Sequence, residues 1–402
     1  MDKNEKKALA RKLEEELASE FEAISAFIYD HPELGGEEFE SANYLVEYLR
    51  KKDFRVRYPY GNEKTAFRAD KGNGNGPVIA VLAEYDALPG FGENGKPAHA
   101  CGHNWIAAVA AGTGAVLGEM TDEFNGTISV IGTPAEETYG GKIMMLKEGL
   151  FDDVDIVFEA HMEERTDIMA PALAMDSLRF SFKGRAAHAA QYPHEGINAL
   201  DAVQLTFSGI NAMRQQVTPD IRIHGIITNG GQAVNIVPEK AECEFYVRGQ
   251  KRAYVNKITE RVINCAKGAA LMTGAKLEIS YPDPSFDDIV TIPVLGEIAA
   301  ENMPKNGFTQ VYREWEPAPG STDIGNVSYH VPTLYTEIGL EDGILFKVHN
   351  EEAVKYADSQ YAHSRLHQMI NSFAGIALDL FEDPKLIEKA KMQLKEQVKE
   401  EE

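Results

Sequence analysis

Side chains that bind metals or exchange protons follow three apolar segments of this 402-residue chain. The segments VIAVLAEYD, TISVIGTPAEE and VDIVFEAH alternate with helix-forming sequence and are typical of buried, mostly parallel strands. They end in Glu84 and Asp86, in Glu136 and Glu137, and in Glu159 and His161. Because ligands bind outside the carboxyl ends of the strands in an open α/β sheet, we expect the three groups to face one crevice.

The segment HACGH adds three potential metal ligands, His99, Cys101 and His103, within five residues. The glycine between the last two permits a tight backbone turn that aims both side chains at one point. An isolated histidine or cysteine is more often a core residue, so the prediction depends on the whole set. Two adjacent carboxylates can divide the work of hydrolysis, since one can bind a metal ion while the other takes a proton from water. The set therefore predicts a metal-dependent hydrolase.

Composition and charge restrict the classes of partner. The chain has 40 Lys and Arg against 63 Asp and Glu, a formal charge of −23, which would repel phosphate backbones and anionic lipid. We therefore expect no nucleic-acid partner and no membrane partner. Three cysteines, Cys101, Cys243 and Cys265, are too few for a disulfide framework and favour a reducing compartment. Because no apolar segment has the length of a signal peptide or a membrane span, a cytoplasmic location is predicted.

The predicted secondary-structure elements that position these residues follow two different orders along the chain. Residues 1–172 and 286–402 show the β-α-β rhythm of an α/β fold, a mostly parallel central sheet with flanking helices. Residues 173–285 show the order β-α-β-β-α-β, which is typical of a ferredoxin-like α+β unit and is interpreted as an insertion. A helix is predicted around residues 353–381, and the charged C-terminal tail is predicted to be a solvated helix or a frayed end.

Seven motifs in order carry a resemblance to a known family: LAEYDALPGFG, HACGHN, GTPAEETYGGK, EAH, KGRAAHAA, NIVPEKAECEFYVR and GSTDIGNVS. Together with the early HPELGGEE, they resemble the aminoacylase/dipeptidase family of two-metal hydrolases, peptidase family M20. Within it the chain is most similar to the amidohydrolase branch that contains indoleacetyl-amino-acid hydrolases, p-aminobenzoyl-glutamate hydrolase and β-alanyl-lysine-type dipeptidases. The similarity covers nearly the whole chain and implies a zinc-peptidase-like catalytic domain.

The resemblance implies a set of metal ligands. In that branch they are the Cys and second His of ACGH, the second Glu of the Glu-Glu pair, the His that ends the next strand and a His near the C-terminus. Two divalent ions are implied, and zinc, manganese, cobalt and nickel all stay open as their identity. The thiolate would bridge ions about 3.5 to 4 Å apart. The corresponding residues are Cys101, His103, Glu137, His161 and His349.

Roles in catalysis and substrate binding are also implied by the resemblance. Glu136 corresponds to the general base, and Asp86 corresponds to the acidic residue that orients a ligand or the base. His188 corresponds to a histidine that polarises the scissile carbonyl, usually in the site of a neighbouring protomer. The inserted unit would then act as a lid and as the interface of a homodimer. The residues implied to contact substrate are Asn235, Arg248 and Ser321.

Two positions depart from the family pattern. Asn104 and Trp105 stand where many relatives have Asp and a second His, so we expect the surroundings of the ligands to differ there. The C-terminal ligand has three candidates, because His363 and His367 follow His349 closely. His349 is preferred because it lies in a loop before a helix, as the family pattern requires.

The predicted reaction is hydrolysis of an amide bond in a small N-acyl amino acid or dipeptide-like substrate. Three alternatives stay open. A thiol hydrolase that uses Cys101 and His103 would keep its activity after chelation. A non-catalytic binding protein of the same fold would bind metal and hydrolyse no amide. A structural zinc protein is the weakest alternative, because structural sites are closed and usually rich in cysteine.

Overall fold

The computed structural model describes residues 1–309, 311, 320–340 and 344–401. These residues form two compact units. The first contains residues 1–171, 289–309, 311, 323–340 and 344–400, and the second contains residues 172–288 and 320–322. The domain boundaries drawn from the sequence, and the lid and dimerisation roles of residues 173–285, stay predictions.

A six-stranded sheet forms the centre of the first unit. Its strands are β1 (Arg55–Arg57), β2 (Phe67–Gly72), β3 (Val78–Ala83), β4 (Thr127–Gly132), β5 (Ile156–Glu163) and β10 (Thr333–Gly339), in the order β1-β2-β4-β3-β5-β10. The last four strands of that order are parallel, and the first two are antiparallel to their neighbours. The parallel strands are continuous apolar runs because helices cover both faces. The predicted α/β fold with a mostly parallel sheet is confirmed.

Helices surround this sheet. Those of the first unit are α1 (Lys3–Asp30), α2 (Phe39–Lys51), α3 (His103–Gly118), α4 (Glu136–Tyr139), α5 (Gly141–Lys147), α8 (Pro293–Asn302), α9 (Ile324–Ser328), α10 (Glu351–Tyr356), α11 (Gln360–Glu382) and α12 (Pro384–Glu401). The helix α3 is buried along its whole length, because its Ala- and Gly-rich sequence lets the neighbouring helices α1 and α11 approach closely.

Two helical predictions near the C-terminus were wrong in detail. The helix expected around residues 353–381 is divided into α10 and α11, because Ser359 caps the start of α11 and accepts a hydrogen bond from the Ala362 N–H. The tail is helical as predicted, but one of its faces is packed against the unit and not solvated. In α12, Ile387, Ala390 and Leu394 recur at helical spacing and are buried in the core of the unit.

The second unit has the element order β6 (Ala174–Lys183), α6 (Ala199–Met213), β7 (Arg222–Asn229), β8 (Lys240–Gly249), α7 (Arg252–Thr273) and β9 (Lys276–Ser280). Its strands form an antiparallel sheet in the order β7-β8-β6-β9. Alternate residues of β8, such as Cys243 and Phe245, are buried in one hydrophobic core with residues of α6 and α7. β7 is an edge strand, and Ile226 and Ile227 on it are 64% and 47% exposed.

None of the described helices of the protein is long and apolar enough to cross a membrane.

Candidate metal centre

The carboxyl ends of three neighbouring parallel strands bring the predicted site residues of the first unit together. β5, β3 and β4 lie side by side in the sheet. Asp86 follows β3, Glu136 and Glu137 open α4 shortly after β4, and His161 lies near the end of β5. The sheet therefore presents these side chains along one edge, as expected for an open α/β sheet.

Gly102 shapes the loop that carries Cys101 and His103. Its φ of 77° lies in the left-handed region, and a Cβ atom there would lie 2.9 Å from the Met162 Sδ. Glycine is the residue that tolerates both conditions. Because of this turn, Cys101 and the first residue of α3, His103, point to the same place.

The five predicted metal ligands form one cluster. Cys101 Sγ lies 3.4 Å from His161 Nε2 and 3.5 Å from His349 Nε2. His349 Nε2 lies 3.1 Å from Glu137 Oε1. The same carboxylate oxygen lies 3.9 Å from His103 Nε2. Two groups of three residues offer ligand atoms within 4.8 Å of one another, and Cys101 belongs to both: Cys101, His103 and His161 in one, and Cys101, Glu137 and His349 in the other.

Two residues, one in the cluster and one beside it, have backbone conformations that L-amino acids rarely adopt. Ala135 has a φ of 62° and His349 a φ of 59°. Such strain costs about 1 to 3 kcal/mol each and persists where the surroundings hold it. The Ala135 N–H donates to Glu38 Oε1 at 2.8 Å, and the His349 N–H donates to the Ala100 carbonyl at 2.9 Å. These contacts direct His349, and the two glutamates that follow Ala135, towards the cluster.

Asp86 connects two of the ligands. Its Oδ1 lies 2.8 Å from His103 Nδ1, and its Oδ2 accepts a hydrogen bond from the Glu137 N–H at 2.9 Å. The contact at Nδ1 leaves the other nitrogen of His103 for a metal ion. That atom, Nε2, is buried, lacks a hydrogen-bond partner among the described residues, and lies 3.3 Å from Glu84 Oε2.

The two adjacent glutamates have opposite electrostatic properties. Burial, together with the charge of Glu137, raises the pKa of Glu136 well above its ordinary value. Burial also acts on Glu137, but the hydrogen bond with His349 and the charge of His103 lower its pKa overall. In His161, burial lowers the pKa to about 4, so the imidazole is neutral at pH 7 and able to bind a metal.

The residues fit a pair of divalent ions. Thiol sulfur, imidazole nitrogen and carboxylate oxygen are the donors that zinc and related ions prefer. The buried His103 Nε2 and Glu84 Oε2 lack hydrogen-bond partners among the described residues, and a cation would satisfy them. The mixed donor set is unlike a closed structural zinc site.

Comparison with known proteins identifies the family. Residues 80–372 match peptidase family M20/M25/M40. The chain belongs to this family. A Xaa-Arg dipeptidase of Mus musculus is 33% identical over 402 residues, which cover 96% of this chain and 91% of that protein. A component of the p-aminobenzoyl-glutamate hydrolase of Escherichia coli strain K12 is 38% identical over 273 residues, which cover 64% of this chain and 56% of that protein. A crystal structure of a Bacillus subtilis dinuclear metal-binding peptidase of the M20 family shares the fold, with a TM-score of 0.69 at 22% identity over 91% of this chain and 99% of that chain.

Membership of the M20/M25/M40 peptidases confirms the family resemblance and the predicted class of enzyme, an amide-bond hydrolase.

Four of the predicted site residues lie in the second unit. His188 is exposed, and its Nδ1 accepts hydrogen bonds from the N–H groups of Ala190 and Gln191. Asn235 lies in the adjoining segment, where its carbonyl accepts from the Ala189 N–H at 3.0 Å.

Arg248 and Ser321 are the other two predicted residues of the second unit. Arg248 is half-buried at the end of β8, with its guanidinium carbon 5.5 Å from the centroid of the Tyr246 ring. Its Nε is buried without a hydrogen-bond partner among the described residues, and the same holds for Ser321 Oγ. Within the part of the chain that the structure describes, both groups therefore have unused hydrogen-bonding capacity.

Three other histidines of the first unit have hydrogen-bond partners of their own. His363 Nε2 lies 2.9 Å from Asp358 Oδ1. His367 is held by Glu14 and by Glu22, at 2.6 and 3.0 Å. His99 Nε2 lies 3.0 Å from the Ile28 carbonyl, and burial lowers the pKa of His99 to about 3. The geometry thus favours His349 over its two rivals as the C-terminal member of the cluster.

The two departures from the family pattern serve packing. The Asn104 side chain donates to Ser25 Oγ and to the Ala357 carbonyl, both at 2.9 Å. The Trp105 indole N–H donates to the Ala362 carbonyl at 2.9 Å. These contacts tie α3 to α1 and to the C-terminal helices.

Two buried residues near the cluster, Glu38 and Lys142, were not singled out by the sequence, whereas Asp323 belongs to the turn of residues 320–323, whose place at the edge of the site the family resemblance already suggested. Glu38 follows the early glycine pair and holds the Ala135 backbone, while Lys142 and Asp323 pair with each other beside Glu84. Glu38 and Asp323 stand in quoted motifs, HPELGGEE and GSTDIGNVS, which was the available signal. Lys142 closes GTPAEETYGGK, but a lysine in the first turn of a helix is usually solvated.

Proposed function

We propose that this protein hydrolyses an amide bond in small N-acyl amino acids or dipeptides with the help of two divalent ions. The supporting observation is the single cluster of thiol, imidazole and carboxylate groups with Glu136 beside it, at the carboxyl edge of the sheet. Such an arrangement joins metal ligands to a proton-transferring group, which is what amide hydrolysis requires.

The ions would be held by the two groups of three that share one thiolate. Cys101, His103 and His161 would hold one ion, and Cys101, Glu137 and His349 would hold the other. Bound divalent ions polarise a carbonyl oxygen and lower the pKa of water. Zinc, manganese, cobalt and nickel are all compatible with the donors.

Glu136 would transfer the proton of the reaction. It is expected to take a proton from the attacking water and to deliver it to the departing amine. Glu136 is half-buried beside the charged Glu137, and the resulting rise in its pKa favours a group that holds a proton between the two steps. Asp86 would orient His103 and Glu137 through the two hydrogen bonds that it forms with them.

The second unit would supply substrate contacts. His188 would polarise the scissile carbonyl, and Asn235, Arg248 and Ser321 would bind the rest of the substrate. The half-buried guanidinium of Arg248 offers a planar fork for a substrate carboxylate, and its Nε lacks another partner among the described residues.

A homodimer through the second unit fits its surface. The edge strand β7 exposes Ile226 and Ile227, and the segment that follows exposes Val234 and Ile236, the former fully. Exposed apolar side chains along an unpaired strand edge favour pairing with another strand. In this assembly the unit would act as a lid, and His188 would serve the site of the partner. The reducing compartment inferred from the cysteines makes the cytoplasm the proposed location.

Dipeptides with a basic C-terminal residue are the substrates we favour first, because a relative whose match covers 96% of this chain is a Xaa-Arg dipeptidase. Two carboxylates support this choice. Glu163 lies two residues beyond His161 on β5, and Glu337 pairs in register with His161 from β10. Both are partly buried, and burial raises the pKa of Glu163 and raises that of Glu337 to about 8, so an arginine or lysine side chain bound beside them would stabilise their ionised forms.

A hydrolysis screen tests the proposal. Purified protein, with its metal content measured, would be assayed against Xaa-Arg, Xaa-Lys and neutral dipeptides and against N-acyl amino acids. Hydrolysis that is lost on chelation and restored by a divalent ion is expected. Activity that survives chelation would favour a thiol hydrolase, and bound metal without hydrolysis of any amide would favour a binding protein.

A further inference from the structure

Lys142 is a buried lysine that has no role in the proposed reaction. It lies in the first turn of α5, and its side chain is fully inaccessible to solvent. A Cβ atom on the preceding Gly141 would overlap the Pro134 carbonyl oxygen. Glycine at that position lets α5 lie against the loop that leads to Glu136, which brings Lys142 behind the candidate metal centre.

The ammonium group of Lys142 is surrounded by carboxylates. Its Nζ lies 2.7 Å from Asp323 Oδ1, and its backbone N–H donates to the other oxygen of Asp323 at 2.9 Å. The Nζ also forms an ion pair with Glu84 and lies 3.6 Å from Glu159 Oε2. All three carboxylates are buried. Burying an ammonium group is unfavourable unless anionic partners surround it, and burying carboxylates is unfavourable unless a cation accompanies them.

This cluster touches the candidate metal centre directly. The Glu84 oxygen Oε2 lies 3.3 Å from His103 Nε2. Glu84, Glu136 and Asp323 each offer an oxygen atom within 4.8 Å of the others. Without a cation among them, these carboxylates would repel one another in a low-dielectric environment.

We propose that Lys142 is a positioning residue that acts as a fixed internal cation of the metal centre. Its ammonium group holds Glu84 and Asp323 in place, so the carboxylate-rich site keeps its shape before divalent ions bind. The inference rests on the proposed function, since it takes the divalent ions as the other cations of the site.

A specific coupling to metal follows from this role. Replacing Lys142 by methionine keeps most of the volume and removes one positive charge. The metal-free protein then has buried carboxylates without a counter-ion, whereas in the metal-loaded protein the ions offset part of the lost charge. A side chain that only filled space would show no such dependence on metal.

Thermal unfolding of four full-length variants tests the inference, each with excess chelator and with saturating zinc or manganese. The variants are Lys142→Met, Asp323→Asn, the double variant of both, and Lys147→Met as an exposed control at the other end of α5. In chelator we expect Lys142→Met to lower Tm by about 5–10 °C. With metal the loss should be at most half as large, and the control should not change Tm. The double variant should recover at least half of the loss in chelator, because one missing anion then matches one missing cation.

Equal losses of Tm with and without metal, or strictly additive losses in the double variant, would overturn the role of Lys142. If Lys142→Met does not fold, the double variant must still fold and purify, and its failure would overturn the inference as well. A wild-type Tm that responds to none of the metals would instead refute the proposed metal centre. The two failures are therefore distinguishable without any measurement of activity.

Discussion

Replacing Glu38 by alanine should loosen the loop that carries Glu136 and Glu137. Glu38 is fully buried, its Oε1 accepts from the Ala135 N–H at 2.8 Å, and its Oε2 accepts from Thr65 Oγ1 at 2.8 Å. Each buried donor left without an acceptor costs about 1 to 3 kcal/mol. The left-handed backbone of Ala135, with its φ of 62°, costs about 1 to 3 kcal/mol, and the contact with Glu38 helps to maintain this conformation.

For Glu38→Ala we expect the unfolding free energy to fall by about 3 kcal/mol. Most of this loss comes from the Ala135 N–H, which is fixed in the backbone, whereas the Thr65 hydroxyl can rotate to another acceptor. Urea unfolding in chelator measures this loss without interference from metal. In the metal-loaded protein, kcat/KM should fall about 10- to 100-fold, because a loop displaced by about 1 Å misplaces the reacting groups. Thr65→Val removes one of the two contacts and should cost about 1 kcal/mol.

A control variant and a second substitution that restores stability test this prediction. Glu37 is the exposed neighbour of Glu38, so Glu37→Ala should change stability by less than about 0.5 kcal/mol. Glycine adopts a positive φ without strain, so Ala135→Gly added to Glu38→Ala should recover about 1 kcal/mol. If Glu38→Ala is as stable and as active as Glu37→Ala, Glu38 does not hold the loop.

Three further outcomes are expected. Glu136→Gln should keep both metals and lose about 10²- to 10⁴-fold in kcat, whereas Glu137→Ala should lose metal as well, which elemental analysis of the purified variants checks. Arg248→Met should raise KM about 10- to 100-fold for substrates with a free carboxylate and leave KM unchanged for their amides. The hydrogen bond with Glu14 raises the pKa of His367, so this contact stabilises the fold fully below about pH 6.5 and loses its effect as the pH rises through the folded-state pKa. His367→Gln should therefore cost about 0.5–1 kcal/mol at pH 6 and less at pH 9 in urea titrations.

The part of the site that the sequence predicts is the part that parallel strands determine. Asp86, Glu137 and His161 could be placed together because the carboxyl ends of neighbouring parallel strands meet at one edge. Cys101 and His103 could be added because glycine separates them. His349 came from the family resemblance alone, since it lies far along the chain and its left-handed backbone has no signature in the residue type.

The burial of Glu38 and of Lys142 could not be predicted, because both are charged residues in helix-forming segments where exposure is the rule. Their burial depends on the partners that the fold supplies, Ala135 and Thr65 for the glutamate and Asp323 for the lysine. A charge becomes buried when a partner from a distant segment arrives, and that pairing is a property of tertiary structure.

The two adjacent glutamates show most clearly what the structure adds. They are identical in type, and the sequence distinguishes them only through the family motif. In the fold, His349 Nε2 lies 3.1 Å from Glu137 Oε1, and His349 and His103 together lower the pKa of Glu137. Burial and the negative charge of Glu137 raise the pKa of Glu136. One carboxylate thus resembles a metal ligand, which must be ionised, and the other resembles a group that carries a proton. Because His349 contributes to this difference together with His103, a His349→Ala variant is expected to bring the properties of the two glutamates closer together and to impair metal binding and proton transfer at once.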